Sequence, residues 1–198
     1  MMNRLTDVVK HLLIINVIMF VCFHVLFSQF RELTFLFPPG SEYFKPYQLV
    51  SHMFMHGSPS HILFNMMSLF FLGPMVEQNL GSKRFLIFYL ICGFAAMLLH
   101  LGLAYTGFIR PSPVVGASGA IMGVFIAFGL LYPDVKLMLI FPPIPIKAKY
   151  LMGALVLFDL FSGVSGISTG IAHFAHLGGA IAGFILIFSW GRNNLFKR

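Results

Sequence analysis

Three short stretches of this sequence carry side chains suited to acyl-transfer chemistry. Ser118 sits in Gly116-Ala117-Ser118-Gly119, a hydroxyl flanked by residues small enough to let another chain approach. His176 follows in Ala175-His176-Leu177-Gly178-Gly179. A neutral imidazole, with an ordinary pKa of ~6.5, can take a serine proton at neutral pH. His61 and Asn65 are four residues apart, on one face if that stretch is helical. Their N–H groups could hold a developing oxyanion together with the Ser118 backbone N–H. If Ser118 opens a helix, the positive end of the dipole adds to this. A nucleophile, a base and oxyanion donors together describe a serine hydrolase.

The elements that must position these groups are set by composition. The 198 residues are 58% hydrophobic and 10% charged, with 24 Phe and a mean hydropathy of +0.88. A water-soluble fold cannot hide that much apolar surface, so the solvent is lipid. Six apolar runs are predicted to span the bilayer, over 8–27, 61–76, 85–105, 118–132, 150–164 and 171–190. Pro- and Gly-rich breakers separate several of them, and Tyr105, Tyr132, Tyr150 and Trp190 stand at span ends, where amphipathic rings favour the interface. The chain reads as one all-α integral membrane domain over residues 1–198. The run after Arg4 and Lys10 lacks a small-residue cleavage signature and reads as a retained first span.

Charge orients the bundle. With the N-terminus in the cytoplasm, Arg4, Lys10, Lys83, Arg84, Lys136, Lys147, Lys149, Arg192, Lys197 and Arg198 lie inside, and only Arg31, Lys45 and Arg110 lie outside. Both termini are then cytoplasmic, and a bacterial inner membrane is expected. The net charge of +7 is spread between apolar runs and forms no stripe, which excludes a nucleic-acid partner. In this topology spans two, four and six run from outside to inside, so His61, Ser118, His173 and His176 share the outer layer. Span four covers only about 22 Å at ~1.5 Å per residue. Residues 111–116 must therefore dip into the membrane around a wet pocket with Ser118 at its floor. Gly119 and Gly123 on span four, and Gly179 and Gly183 on span six, are spaced to let two helix backbones touch.

His52, His56, His61 and Asn65, then Gly116 to Gly119, then Ala175 to Gly179 with Gly183, resemble the three signature segments of rhomboid proteases, in the family's order. The resemblance implies a six-transmembrane-helix rhomboid-like bundle that cleaves transmembrane protein substrates near their outer ends. It implies Ser118 as nucleophile, His176 as general base and acid, no third acid, and an oxyanion hole of His61, Asn65 and the Ser118 N–H. His56 is implied as a structural or cavity residue. Met122 stands where the family often has an aromatic ring stacked on the catalytic histidine, and the long loop before span two has no Trp.

Other readings are a histidine-liganded metalloprotein using His52, His56, His61, His173 and His176, a transporter, and a non-catalytic relative that binds membrane helices. No His-Glu-x-x-His occurs, and no metal or cofactor is expected. Cys22 and Cys92 fall in apolar runs and read as buried hydrophobes. Asp159, the one carboxylate inside a predicted span, reads as a structural group holding span five, since the motifs do not use that helix. Substrate entry falls to span five or to residues 165–170.

Overall fold

The computed structural model describes residues 5–139, 142–166 and 170–191. Arg4, Arg192, Lys197 and Arg198, used above for orientation, lie outside the described residues, as do 167–169 of the loop considered for substrate entry. Six helices of fourteen residues or more carry the fold: α1 Asp7–Phe20, α2 Pro59–Leu80, α3 Ser82–Tyr105, α4 Ser118–Leu131, α5 Ala148–Val164 and α6 His173–Gly191. A π-helical turn, Val21–Leu26, prolongs α1. Among the described residues four segments are long and apolar enough to cross a membrane: Asp7–Leu26, Pro59–Leu80, Ser82–Tyr105 and His173–Trp190. α4 is apolar but shorter, and α5 is seventeen residues long.

Local sequence explains where the helices that carry the site begin and end. Ser58 caps α2, its Oγ accepting from the His61 N–H at 3.1 Å, and Pro59 occupies the first turn, where its missing N–H costs nothing. The same cap therefore fixes the first turn that carries His61. α2 runs past the predicted end at Val76, through Pro74, to a Gly81 cap with φ +80°. Just past that predicted end stands Glu77, which is 2% exposed. Glu77 accepts hydrogen bonds from the backbone N–H groups of Val8 (3.1 Å) and Val9 (2.9 Å), from Ser82 Oγ (2.7 Å) and from Thr6 Oγ1. It thereby caps α1 from a neighbouring helix.

α4 is the central helix. It packs against α2, α3, α5 and α6, and α6 packs most closely on α3 and α4. Glycines make the approach possible. A Cβ on Gly179 would overlap the Gly119 carbonyl, and one on Gly183 would lie 2.8 Å from Gly123 Cα. The spacing read from sequence is thus the seam between α4 and α6. The outer faces keep large apolar side chains exposed, Phe71 at 61% and Leu157 at 66% among them. Such exposure costs little against lipid. Between α4 and α5 a hairpin pairs β1 (Lys136–Met138) antiparallel with β2 (Pro145–Lys147). Lys147 Nζ and Lys149 Nζ donate to Asp134 Oδ1 at 2.9 and 3.0 Å, which holds that carboxyl below its usual range.

Candidate active site

Ser118 is the first residue of α4, so its N–H has no intrahelical acceptor and points out of the helix end. The loop before it is held at two points. Leu36 and Val114 exchange backbone hydrogen bonds (2.9 and 2.8 Å), and the Gly116 N–H donates to the His52 carbonyl at 2.9 Å. Gly116 has φ +125°, and a Cβ there would lie 2.7 Å from His61 Cε1, so only glycine fits. Residues 111–116 thus form a loop tied to the 28–58 segment that delivers Ser118 beside His61.

The segment that holds this loop is organised by one side chain. Gln48 is fully buried and makes four hydrogen bonds: Oε1 accepts from Phe37 N and Lys45 N, and Nε2 donates to the Leu33 and Tyr43 carbonyls. Its own carbonyl lies 2.8 Å from His52 Nδ1. His52 thus positions the loop by its backbone while its ring is held by the preceding turn. Burial keeps the His52 pKa below its ordinary value. His56 is fully buried, its ring 5.0 Å from that of His61, and neither nitrogen has a hydrogen-bond partner among the described residues. Burial, with the nearby His61 second, pushes the His56 pKa down to about 3. Both groups are neutral at neutral pH.

A cavity of about 650 Å³ brings the predicted groups together: His61, Asn65, Gly116, Ser118, Gly119 and His176 all line it. It reaches the surface past the exposed Gly57 and Ser60. The His61 ring accepts from the Gly57 N–H through Nδ1 at 3.4 Å, which leaves Nε2–H as a donor toward Gly116 and the serine. Asn65 is 6% exposed, and its Nδ2 has no partner among the described residues. His61 and Asn65 thus stand with Ser118 in the wall of one cavity. Ser118 Oγ makes no hydrogen bond of 3.5 Å or less to His176 among the described residues; the two share the cavity wall. In a substrate-free serine site such bonds are often long and tighten on binding.

On its other side His176 meets a carboxylate. His176 Nδ1 is 3.2 Å from both Asp159 oxygens, and His173 Nδ1 is 2.6 Å from Asp159 Oδ1. Asp159 was expected on a helix apart from the chemistry, and the structure places it on the histidine of the site. His173, one turn before His176, contacts the carboxylate from the same helix. Met122 is buried on α4 one turn after Ser118.

A family profile, the Rhomboid domain, matches residues 43–193, which include all three motif segments. The chain belongs to the rhomboid family. Among curated relatives of this rhomboid, "RHOMBOID-like protein 4" of Arabidopsis thaliana is 34% identical over 142 residues, 72% of this chain and 33% of the relative. "Rhomboid protease AarA" of Providencia stuartii is 30% identical over 152 residues, 70% of this chain and 53% of the relative. "Putative rhomboid protease YdcA" of Bacillus subtilis (strain 168) is 31% identical over 144 residues, 72% of this chain and 66% of the relative. The chain spans a third to two thirds of the length of these relatives. With helices long enough to cross the bilayer, this rhomboid is an integral membrane protein.

Sequence reasoning singled out Ser118, His176, His61 and Asn65, which the structure brings to one cavity, and the glycine seam between α4 and α6. It missed Gln48 and the Asp159 contact. A buried glutamine inside an amphipathic loop carries no spacing signal, because its four partners are backbone groups. Asp159 did carry one: a lone carboxylate at the depth of two histidines.

Proposed function

We propose that this chain is an intramembrane serine endopeptidase that cuts transmembrane segments of other membrane proteins near their outer ends. The observation that carries the reading is the single cavity lined by Ser118, His176, His61 and Asn65. Relatives named as rhomboid proteases agree with it. In this reading residues 1–198 form one domain, all six helices cross the bilayer, both termini face the cytoplasm, and the cavity opens outward. The membrane proposed is a bacterial inner membrane, although relatives include a mitochondrial protein of Arabidopsis thaliana.

Ser118 Oγ attacks the scissile carbonyl carbon while its proton passes to His176 Nε2. The carbonyl oxygen becomes an oxyanion, held by the Ser118 N–H, Asn65 Nδ2 and His61 Nε2. His176 then returns the proton to the leaving amine as the C–N bond breaks. A water entering the cavity gives a proton to His176 and adds to the ester, and collapse of that intermediate releases the acid and the Ser118 hydroxyl. Local unwinding of the substrate helix is required, because a helical peptide bond is shielded by its own turn.

The test uses purified protein in lipid vesicles with a model transmembrane substrate. Wild type should cleave it and take up a fluorophosphonate on Ser118, located by mass spectrometry. Ser118→Ala and His176→Ala should fold, insert and be inactive. Full cleavage by Ser118→Ala would overturn the reading.

A further inference from the structure

A Ser–His pair alone makes no use of the contact between α5 and α6. Asp159 is 4% exposed on α5 and reaches across to α6. It meets His173 Nδ1 at 2.6 Å and His176 Nδ1 at 3.2 Å through each of its oxygens. We infer that Asp159 is a positioning residue for His176, its carboxylate fixing the imidazole tautomer that leaves Nε2 free to take the Ser118 proton. This rests on the protease reading above.

A carboxylate accepts hydrogen bonds and cannot donate them, so an imidazole bonded to it through Nδ1 carries its proton there. For His176 the lone pair then lies on Nε2, the nitrogen not engaged by Asp159, and the ring lines the cavity with Ser118. With the proton on Nε2 instead, the ring would have no lone pair to offer the serine. Once Nε2 accepts the proton, the imidazolium stands beside a carboxylate in a bundle where attraction is weakly screened. This is the logic of the serine–histidine–aspartate template, assembled here from three separate helices.

The rival reading makes Asp159 a pin between α5 and α6. Its bond to His173, 2.6 Å long with both side chains about 5% exposed or less, already supplies such a pin. A pin gives no reason for the second imidazole to address both oxygens. His173 accordingly holds the carboxylate in place, and the carboxylate holds His176.

The experiment compares wild type, Asp159→Asn, Asp159→Glu and His173→Ala in lipid, with ¹⁵N-histidine spectra taken beside the kinetics. An asparagine can donate to Nδ1 and so admits the wrong tautomer. Asp159→Asn should lower kcat by about 100-fold or more with KM within about threefold, measured per folded molecule. The Nδ1 proton of His176 should shift to Nε2 in the same variant. Asp159→Glu should recover part of the rate, and His173→Ala should stay within about tenfold of wild type. If Asp159→Asn does not insert, Asp159→Ser carries the test with the same expectations. A kcat within tenfold of wild type for the Asp159→Asn or Asp159→Ser variant, or an unchanged His176 tautomer in it, overturns the inference. Failure of wild type to cleave would instead remove the protease reading, and the tautomer measurement would still decide what Asp159 does to His176.

Discussion

Asn65 and His61 reach the cavity from consecutive turns of α2, and each has an N–H group to spare: Asn65 Nδ2 is without a partner among the described residues, and His61 Nδ1 is already occupied by the Gly57 N–H. Donors aimed at an oxyanion strengthen as charge develops, so their loss falls on kcat. Asn65→Ala should lower kcat by about 100-fold with little change in KM, and His61→Ala should act in the same direction. Steady-state kinetics on the vesicle substrate reads this directly, and an effect confined to KM would make both residues substrate binders. These residues were legible in the sequence because function needs a particular side chain type at a particular helical spacing. Asp159 was legible as an outlier, a carboxylate in an apolar run, but its partner was not. Which histidine it meets depends on how α5 rotates against α6, and α5 has no motif to fix that rotation.

Helix existence was legible for a simpler reason: lipid forces every spanning backbone to satisfy its own hydrogen bonds, so apolar runs become helices. Ends were less so. α2 continues beyond its apolar run to Leu80, and Glu77 in that last stretch serves as the cap of α1, a tertiary use that an apolar run does not reveal. The seam between α4 and α6 was fully announced by its glycines. Gly183 abuts Gly123, with a Cβ placed 2.8 Å from Gly123 Cα and 2.9 Å from its carbonyl oxygen. Association here rests on van der Waals contact between backbones, so one methyl group must push the helices apart. Gly183→Ala should lower the thermal midpoint by several degrees, corresponding to about 1–3 kcal/mol of overpacking. It should also reduce kcat about tenfold or more, because α4 carries Ser118 and α6 carries His176 and a shift of about 1 Å is enough to misplace one against the other. A variant with wild-type stability and rate would show that the seam has slack.

At the scale of the molecule, the helices pack into one bundle, and the segment over residues 28–58 ties down the loop to Ser118. That segment was the least legible part of the sequence: no periodicity marks it, and its order comes from Gln48, the Leu36–Val114 exchange and the His52–Gly116 bond. It is also where acid should act first. His52 and His56 are buried there with depressed pKa values, His56 at about 3, while an unfolded histidine titrates near ~6.5. Above ~6.5 neither state takes a proton at these sites and the stability is complete. As pH falls through the window between ~6.5 and about 3, the unfolded chain binds protons that folded His56 refuses, so the fold loses stability. The thermal midpoint in detergent should therefore fall from pH 7.5 to pH 5. Replacing His56 by leucine, close to it in volume, removes both the titration and two ring nitrogens that lack partners among the described residues. His56→Leu should leave stability at pH 7.5 equal or higher, since an unpaired buried polar group is lost, and should flatten the acid slope. His61 faces His56 across 5.0 Å and remains in both proteins, so the difference in slope belongs to His56. Identical slopes in wild type and variant would mean that His56 opens to water before the rest of the bundle unfolds.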